Sequence, residues 1–400
     1  MVSSLNSLYL ILSLIVSSQA FLQGSRHLLG TTCCSSSCSL RISARKRKEE
    51  LDLMLSGKEV PRLANLSMYA TNYSYLSGMG LEPARKANNT PTKQPSQQIS
   101  PHRPPNISLR NQLDYARNGH TALNSLIDPE LLLRVRTDVL RYTSQKALDA
   151  WRQKVEVASD SPKLAQSCRT IEECQDELEK LGIEWDFLPF LQSFNTWRNV
   201  PSVKALCFAL GETASTLMDV PSVRLYQDSV FSKRAQDGPT PWHTDARMAP
   251  FDTPHMITIW IPLQDIPKDG TALVFVSKSH SDFALPFWND FDGPEFDRLE
   301  ERYKGVSISH MPLKLGDATA HSGWTLHCAD GNDSSDDRHA LAISFVDTDA
   351  QVRETALDFK PSSGGYGDNE DQWSYREWVN SVKPRTHFSH DLVPIVWPLK

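Results

Sequence analysis

His243 and Asp245 stand two positions apart in the proline-flanked stretch TPWHTDARMAP, residues 240–250. Imidazole and carboxylate are side chains that bind one metal ion together. In a strand, residues i and i+2 project from the same face, so a strand here aims both groups at a common point; the alternative for a lone His-x-Asp is a solvated turn. A metal centre needs a third protein ligand. The run LKLGDATAHSGWTLHCADGNDSSDDRHALAISFV, 313–346, supplies His327 just before a polar loop, with His321 as the local competitor. His310 is a more distant candidate, and His280, in SKSH, reads as a turn residue after the ALVFV run.

The strand that opens at Arg338 adds a second chemical group. Arg338, Ala340, Ala342 and Ser344 share one face, and Leu341, Ile343 and Phe345 share the other. The second face is ordinary core. The first is a cation followed by three small residues, which leaves space inside a barrel and puts a guanidinium at its edge. That group grips a carboxylate through two parallel hydrogen bonds. The alternative is a surface strand with an ion-paired arginine. Two imidazoles and one carboxylate, with further positions open, are the ligand set of non-haem Fe(II) oxygenases, and the same donors hold catalytic zinc. A zinc hydrolase has no use for a cation eleven residues past its last ligand, so Arg338 separates the two readings. A non-catalytic cupin-like binding protein is the third.

The elements that must position these groups divide the chain. In LIDPELLLRVRTDVLRY, Asp128 is an N-cap, Pro129 the first helical residue, and Leu132, Val135 and Val139 an apolar stripe. TIEECQDELEKLG has a Thr170/Glu173 capping box, a stripe of Ile171, Cys174, Leu178 and Leu181, and Gly182 as terminator. VKALCFALGETASTLM, 203–218, reads as one further buried helix. From Val223 the period becomes two: VRLYQDSVF, MITIWIPL, ALVFV, VSISHM and HALAISFV are strands separated by Pro, Gly and Asp clusters. Helices first and strands afterwards give an α+β class with a sandwich or jelly-roll sheet.

The first 108 residues lie outside that fold. Leu8–Val16 is an apolar run too short to span a bilayer and suited to a signal peptide, 1–20, with cleavage after Ala20. Residues 21–48 contain no acid, many serines and the cluster RKRK, as transit peptides do. Together they read as the bipartite leader of an alga whose plastid lies within the endomembrane system. The alternative is simple secretion, which would bring the sequons at Asn65 and Asn106 into play. Residues 49–108 form a disordered linker, proline-rich and polar from 83 onward, and 109–400 one domain. No transmembrane segment is expected in the mature protein. The net charge of −6 provides no basic surface for nucleic acid. Seven cysteines, three crowded at 33–38 and four spread widely, make neither a disulfide framework nor a CxxC zinc site.

Three motifs in order, LYQDSVFSKRAQDGPTPWHTD, ITIWIPLQDIPKDGTALVFVSKSH and LKLGDATAHSGWTLHCADGN with RHALAISFV, resemble the phytanoyl-CoA dioxygenase family. YARNGHTALNSLIDPELL resembles that family's opening, and the likeness runs over roughly 112–348. The resemblance implies a double-stranded β-helix, jelly-roll or cupin-like, with the N-terminal helices packed outside. It implies an Fe(II)/2-oxoglutarate-dependent dioxygenase that uses O2, with ascorbate as reductant in vitro. Such an enzyme hydroxylates an unactivated C–H of a small-molecule substrate and releases succinate and CO2.

The family pattern puts iron on His243, Asp245 and His327 and the far carboxylate of 2-oxoglutarate on Arg338. It places Trp260 in the cosubstrate pocket wall, with a core tryptophan as the alternative, and matches Lys233 to the lysine ending the preceding strand, with a solvated strand end as the alternative. Gln227 is a candidate substrate contact, with a structural hydrogen bond as the stronger alternative. The sequence departs from the pattern at Ala329, where a serine is usual, and at Lys278, where a glycine is usual and a different turn geometry is expected. Asp245 speaks against halogenating relatives, which carry a small residue there. The segments 282–305 and 359–397 are those that would select the substrate. The first is acidic and aromatic, which disfavours a polyanionic CoA ester and leaves a small or lipid-like metabolite.

Overall fold

The computed structural model describes residues 107–183, 191–282, 303, 305–354 and 372–398, all within one compact unit, 62–400. The leader, and the linker up to residue 106, lie outside the described residues. So do parts of both segments expected to select the substrate.

Helix α1 (Leu109–Asn118) begins where the linker was expected to end: Ser108 Oγ accepts from Asn111 N, and Gly119 at φ +80° stops it. Asp128 caps α2 (Pro129–Ser159) by accepting from Glu130 N, and Leu132, Val135 and Val139 are fully buried. The helix continues well past Tyr142 because Ala147, Trp151 and Val155 prolong its buried stripe. There it meets a small separate core formed with α3 (Pro162–Ser167) and α4 (Ile171–Lys180), where Ala165, Cys174 and Leu178 are buried. Thr170 caps α4 as expected, but the Glu173 carboxylate accepts from Arg169 N, one residue upstream of the expected box. Leu181, expected on the buried stripe, is exposed.

The apolar run expected to be one helix is two, α5 (Pro201–Ala209) and α6 (Gly211–Met218). The break falls where the last strand of the chain crosses: a Cβ on Gly211 would lie 3.0 Å from both Val396 Cγ2 and Val396 O.

The main sheet contains β1 (His120–Leu123), β2 (Leu191–Phe194), β3 (Val223–Lys233), β6 (Met256–Pro262), β9 (Ala318–Ser322), β11 (Arg338–Asp347) and β13 (Ile395–Trp397). Its order is β1-β9-β6-β11-β3-β13, with β2 also on β3. The second sheet runs β4-β10-β7-β8, built from β4 (Thr240–His243), β7 (Leu273–Val276), β8 (Ser307–Ser309) and β10 (His327–Ala329). A ribbon of β5 (Phe251–Asp252) and β12 (Gln351–Val352) stands apart. All these pairings are antiparallel. From β3 to β11 the chain passes repeatedly from one sheet to the other. The clean division into helices and then strands does not hold, because β1 and β2 lie in the helical half and join the main sheet. Four residues each, HTAL and LQSF, carry too little alternation to be read as strands.

One face of the main sheet buries Ile257, Ile259, Ile261, Leu341, Ile343 and Phe345 against Leu132, Val135, Leu206 and Leu217 of the helices. Burial of each such side chain contributes roughly 1.5–3 kcal/mol. The opposite face carries Trp260, Ala340 and Ala342 and packs on Leu273, Phe275 and Ala329 of the second sheet. The alternation expected for the β11 strand is therefore the one observed. In β3 the register slips beside Ser344, which faces Gln227 while Phe345 faces Leu225. This bulge lets Leu225 and Val230 reach the same core from positions of opposite parity.

Candidate functional site

Strands β4 and β10 are neighbours, and His243 and His327 are direct partners in their register. Each imidazole is oriented by its own backbone: His243 Nδ1 donates to Pro241 O at 2.8 Å and His327 Nδ1 to Thr325 O at 2.9 Å. With the proton fixed on Nδ1, each Nε2 keeps a lone pair free for a metal. Asp245 arrives differently from the expected strand face. His243 ends β4, and Asp245 is the first residue of the single-turn helix α7 (Asp245–Met248). Convergence therefore comes from a strand end and a helical turn, and not from i, i+2 parity. The turn is held at both ends: Ala246 N donates to Gly323 O at 2.8 Å, and the Arg353 guanidinium donates to Arg247 O and Ala249 O.

His243, Asp245 and His327 each offer one donor atom, and the three lie within 4.8 Å of one another. Among the described residues no other three His, Cys, Asp or Glu side chains meet in this way. Asp245 Oδ1 is 3.6 Å from His243 Nε2 and 3.7 Å from His327 Nε2. Burial alone would raise the Asp245 carboxyl, and the imidazoles of His327, His321 and His243 override it, holding it well below the usual carboxylate range. His327 is pushed the other way, by burial and by its neighbours His243 and His321, against the pull of Asp245. An ionised carboxylate beside neutral imidazole is the protonation state a metal requires, and this donor set fits Fe(II).

His321, the sequence competitor for the third ligand, lies on the far side of the carboxylate. Its Nε2 is 3.1 Å from Asp245 Oδ2. The same oxygen accepts from Thr258 Oγ1 at 2.7 Å, and since a hydroxyl has one proton, Ser344 donates to Thr258 across their 2.9 Å contact. Neither Thr258 nor Ser344 was singled out for the metal centre from the sequence. The available signal was a polar residue at an inward position of MITIWIPL, in line with Trp260. His310 pairs with His120 at 2.9 Å, outside the cluster, and His280 approaches Ala116 O at the end of α1.

At the other end of the interior, Arg338 and Lys233 are register partners on β11 and β3. Arg338 is 5% exposed, its guanidinium is 5.6 Å from the centre of the Trp260 ring, and among the described residues it has no ion-pair partner. Its Nε has no hydrogen-bond partner among them either. The surface-strand reading of Arg338 does not fit this burial. Lys233 is fully buried, which removes the solvated-strand-end alternative. Its amine donates to Asp330 O at 2.7 Å. Burial and the adjacent Arg338 lower its pKa to about 7, against the pull of Asp330, Cys328 and Asp237. Trp260 forms a wall of this end, opposite Ala342 in the register. Gln227 is buried beside Ser344. Lys278 takes φ +71°, the left-handed conformation that glycine favours, so that turn keeps a glycine-like geometry instead of the different one expected.

The sequence profile for phytanoyl-CoA dioxygenase (PhyH) matches residues 115–340. Among solved structures, the non-haem α-ketoglutarate-dependent carbocyclase SnoK from nogalamycin biosynthesis is 18% identical with a TM-score of 0.51, over 74% of this chain and 99% of that one. That likeness shows a shared fold. EctD from S. alaskensis, solved with 2-oxoglutarate and 5-hydroxyectoine, is 14% identical with a TM-score of 0.42, over 64% of this chain and 83% of that one. Among curated proteins no sequence matches the chain. No helix among the described residues is long and apolar enough to cross a membrane.

Proposed function

The chain belongs to the phytanoyl-CoA dioxygenase family and is a non-haem Fe(II)/2-oxoglutarate-dependent oxygenase; we propose that it hydroxylates an unactivated C–H of a small or lipid-like metabolite. His243, Asp245 and His327 would hold the iron, which when bound couples the oxidative decarboxylation of 2-oxoglutarate to oxidation of the substrate. The other steps fall to the protein. Arg338 takes the distal carboxylate of 2-oxoglutarate through its guanidinium, and Lys233 adds a second positive charge on the paired strand. Trp260 walls the pocket and excludes water from the cation it covers. Gln227, inward on β3, would contact the substrate. The two sheets are read as the double-stranded β-helix of the family.

The observation that carries this reading is Arg338: a buried cation beside Trp260, with no carboxylate among the described residues to pair it. A zinc hydrolase gives that cation no task. The test is a screen of metabolite extracts with the purified chain, Fe(II), ascorbate and 2-oxoglutarate, scored by substrate-dependent succinate release. A chain that binds iron but never consumes 2-oxoglutarate would count against the enzyme reading and favour a binding protein.

For the N-terminus the reading is a signal peptide over 1–20, a transit-peptide-like segment over 21–48, a linker to 108 and the oxygenase domain over 109–400. The serine-rich, acid-free composition of 21–48 supports plastid delivery. A fluorescent fusion of residues 1–48 in a diatom-like host tests it, and export of that fusion to the medium would favour secretion.

A further inference from the structure

We propose that His321 is a positioning residue for Asp245: with Thr258 it ties down Oδ2, so that Oδ1 alone is presented to the side where His243 and His327 converge. This rests on the reading of His243, Asp245 and His327 as metal ligands.

The geometry is specific to the oxygen. His321 Nε2 and Thr258 Oγ1 lie 3.1 and 2.7 Å from Oδ2, whereas the two other imidazoles lie 3.6 and 3.7 Å from Oδ1. The two anchoring donors are direct partners in the β6–β9 register, so they stand side by side on adjacent strands. His321 cannot swing away. Its strand is paired on both sides, to His120 of β1 and Thr258 of β6, and its ring packs on His327 and Phe275 at 4.3 and 5.3 Å between centroids.

The tautomer follows from the surroundings. His321 is 1% exposed, and its Nδ1 has no hydrogen-bond partner among the described residues. A proton on Nδ1 would bury an unsatisfied N–H and turn a lone pair toward the carboxylate, so the proton sits on Nε2 and is donated.

The need for such an anchor comes from the backbone. Asp245 stands at the start of a one-turn helix, and free rotation of its carboxylate would present either oxygen, or both, to the metal side. Two donors occupy the acceptor positions of Oδ2 and remove that freedom. Outer hydrogen-bond partners of metal ligands act in this way, and their loss costs about 10–100-fold in metal affinity.

Cobalt(II), an oxygen-insensitive probe, titrated into the purified full-length chain tests the assignment without turnover. His321→Leu should weaken cobalt binding about 10–100-fold. His321→Gln keeps an N–H aimed at Oδ2 and should recover most of that loss, which a packing role would not produce. Thr258→Val, near-isosteric, should weaken binding in the same direction without touching the histidine. Cobalt affinity unchanged in His321→Leu, or in Thr258→Val should the leucine variant not fold, would overturn the proposal, as would a glutamine variant no better than leucine. Asp245→Ala is the control on the underlying site. Loss of cobalt binding there supports the metal reading, and full retention would remove that reading itself.

Discussion

The two ends of the interior solve opposite problems with different kinds of residue. At the metal end, each ligand atom facing away from the cluster has a protein partner: Pro241 O for His243, Thr325 O for His327, and Thr258 with His321 for Asp245. At the Arg338 end, a buried guanidinium and the buried Lys233 amine sit on paired strands, and Arg338 has no carboxylate among the described residues. The first arrangement is preorganised around a single carboxylate, Asp245. The second carries an unpaired positive charge that an arriving dicarboxylate would balance. Metal capture is thus a matter of geometry, and cosubstrate capture a matter of charge.

The largest expected effect breaks that charge demand. Arg338→Met removes one partner of a desolvated pair, a loss of about 2–5 kcal/mol, or roughly 30-fold to several thousandfold in 2-oxoglutarate affinity. Iron occupancy should survive, since the ligand cluster is untouched. The 2-oxoglutarate dependence of turnover, with bound iron as control, measures both. An unchanged apparent affinity would assign the cosubstrate's carboxylate to another cation.

A smaller effect comes from Lys233, whose pKa is lowered to about 7 by burial and by Arg338. The amine is charged below that value and mostly neutral above it, and a bound dicarboxylate favours the charged form. Affinity for 2-oxoglutarate is therefore level below pH 7 and falls as pH rises, by at most about tenfold per unit, until the pKa of the bound state is passed. Binding above pH 7 takes up a proton, visible in calorimetry across buffers of different ionisation enthalpy. Lys233→Met should flatten the profile, and a slope that persists in that variant would place the titrating group elsewhere.

The smallest effect lies at a residue belonging to neither end. Lys278 holds a positive φ that costs a side-chain-bearing residue about 1–2 kcal/mol. Lys278→Gly should raise stability in denaturant unfolding by on the order of 1 kcal/mol, reduced by the greater freedom of glycine in the unfolded chain. Iron and 2-oxoglutarate affinities should stay as they are. A glycine variant no more stable than the parent would show that the left-handed turn is not strained.

The difference between the two ends also marks what was legible in the sequence. Arg338 was readable because its meaning is local: alternation along β11 puts it on the face with Ala340 and Ala342, and the structure keeps that alternation. The helix caps at Asp128 and Thr170 were readable for the same reason. His321 was seen, but as a rival ligand, because its task depends on a cross-strand partner 63 positions away, Thr258. Strand β9, ATAHS, has small residues and no strong alternation, so nothing local announced it. The break before Gly211 was hidden because the strand that crosses there, at Val396, lies far along the chain. Local periodicity and capping survive translation into structure except at helix ends such as Leu181 and Glu173; register and long-range packing have no signature in a single window.

His243 and His327 belong to the second sheet, while the outer oxygen of Asp245 is held from β6 and β9 of the main sheet. An ion bound by all three is therefore a clasp across the interlayer space, and parting the layers means losing the ion. Occupancy adds RT ln(1 + [M]/Kd) to the work of opening, about 2.7 kcal/mol when free metal is a hundred times Kd. Metal supply then sets the breathing of the sandwich, with the amide protons of the β4–β10 pair as its natural gauge.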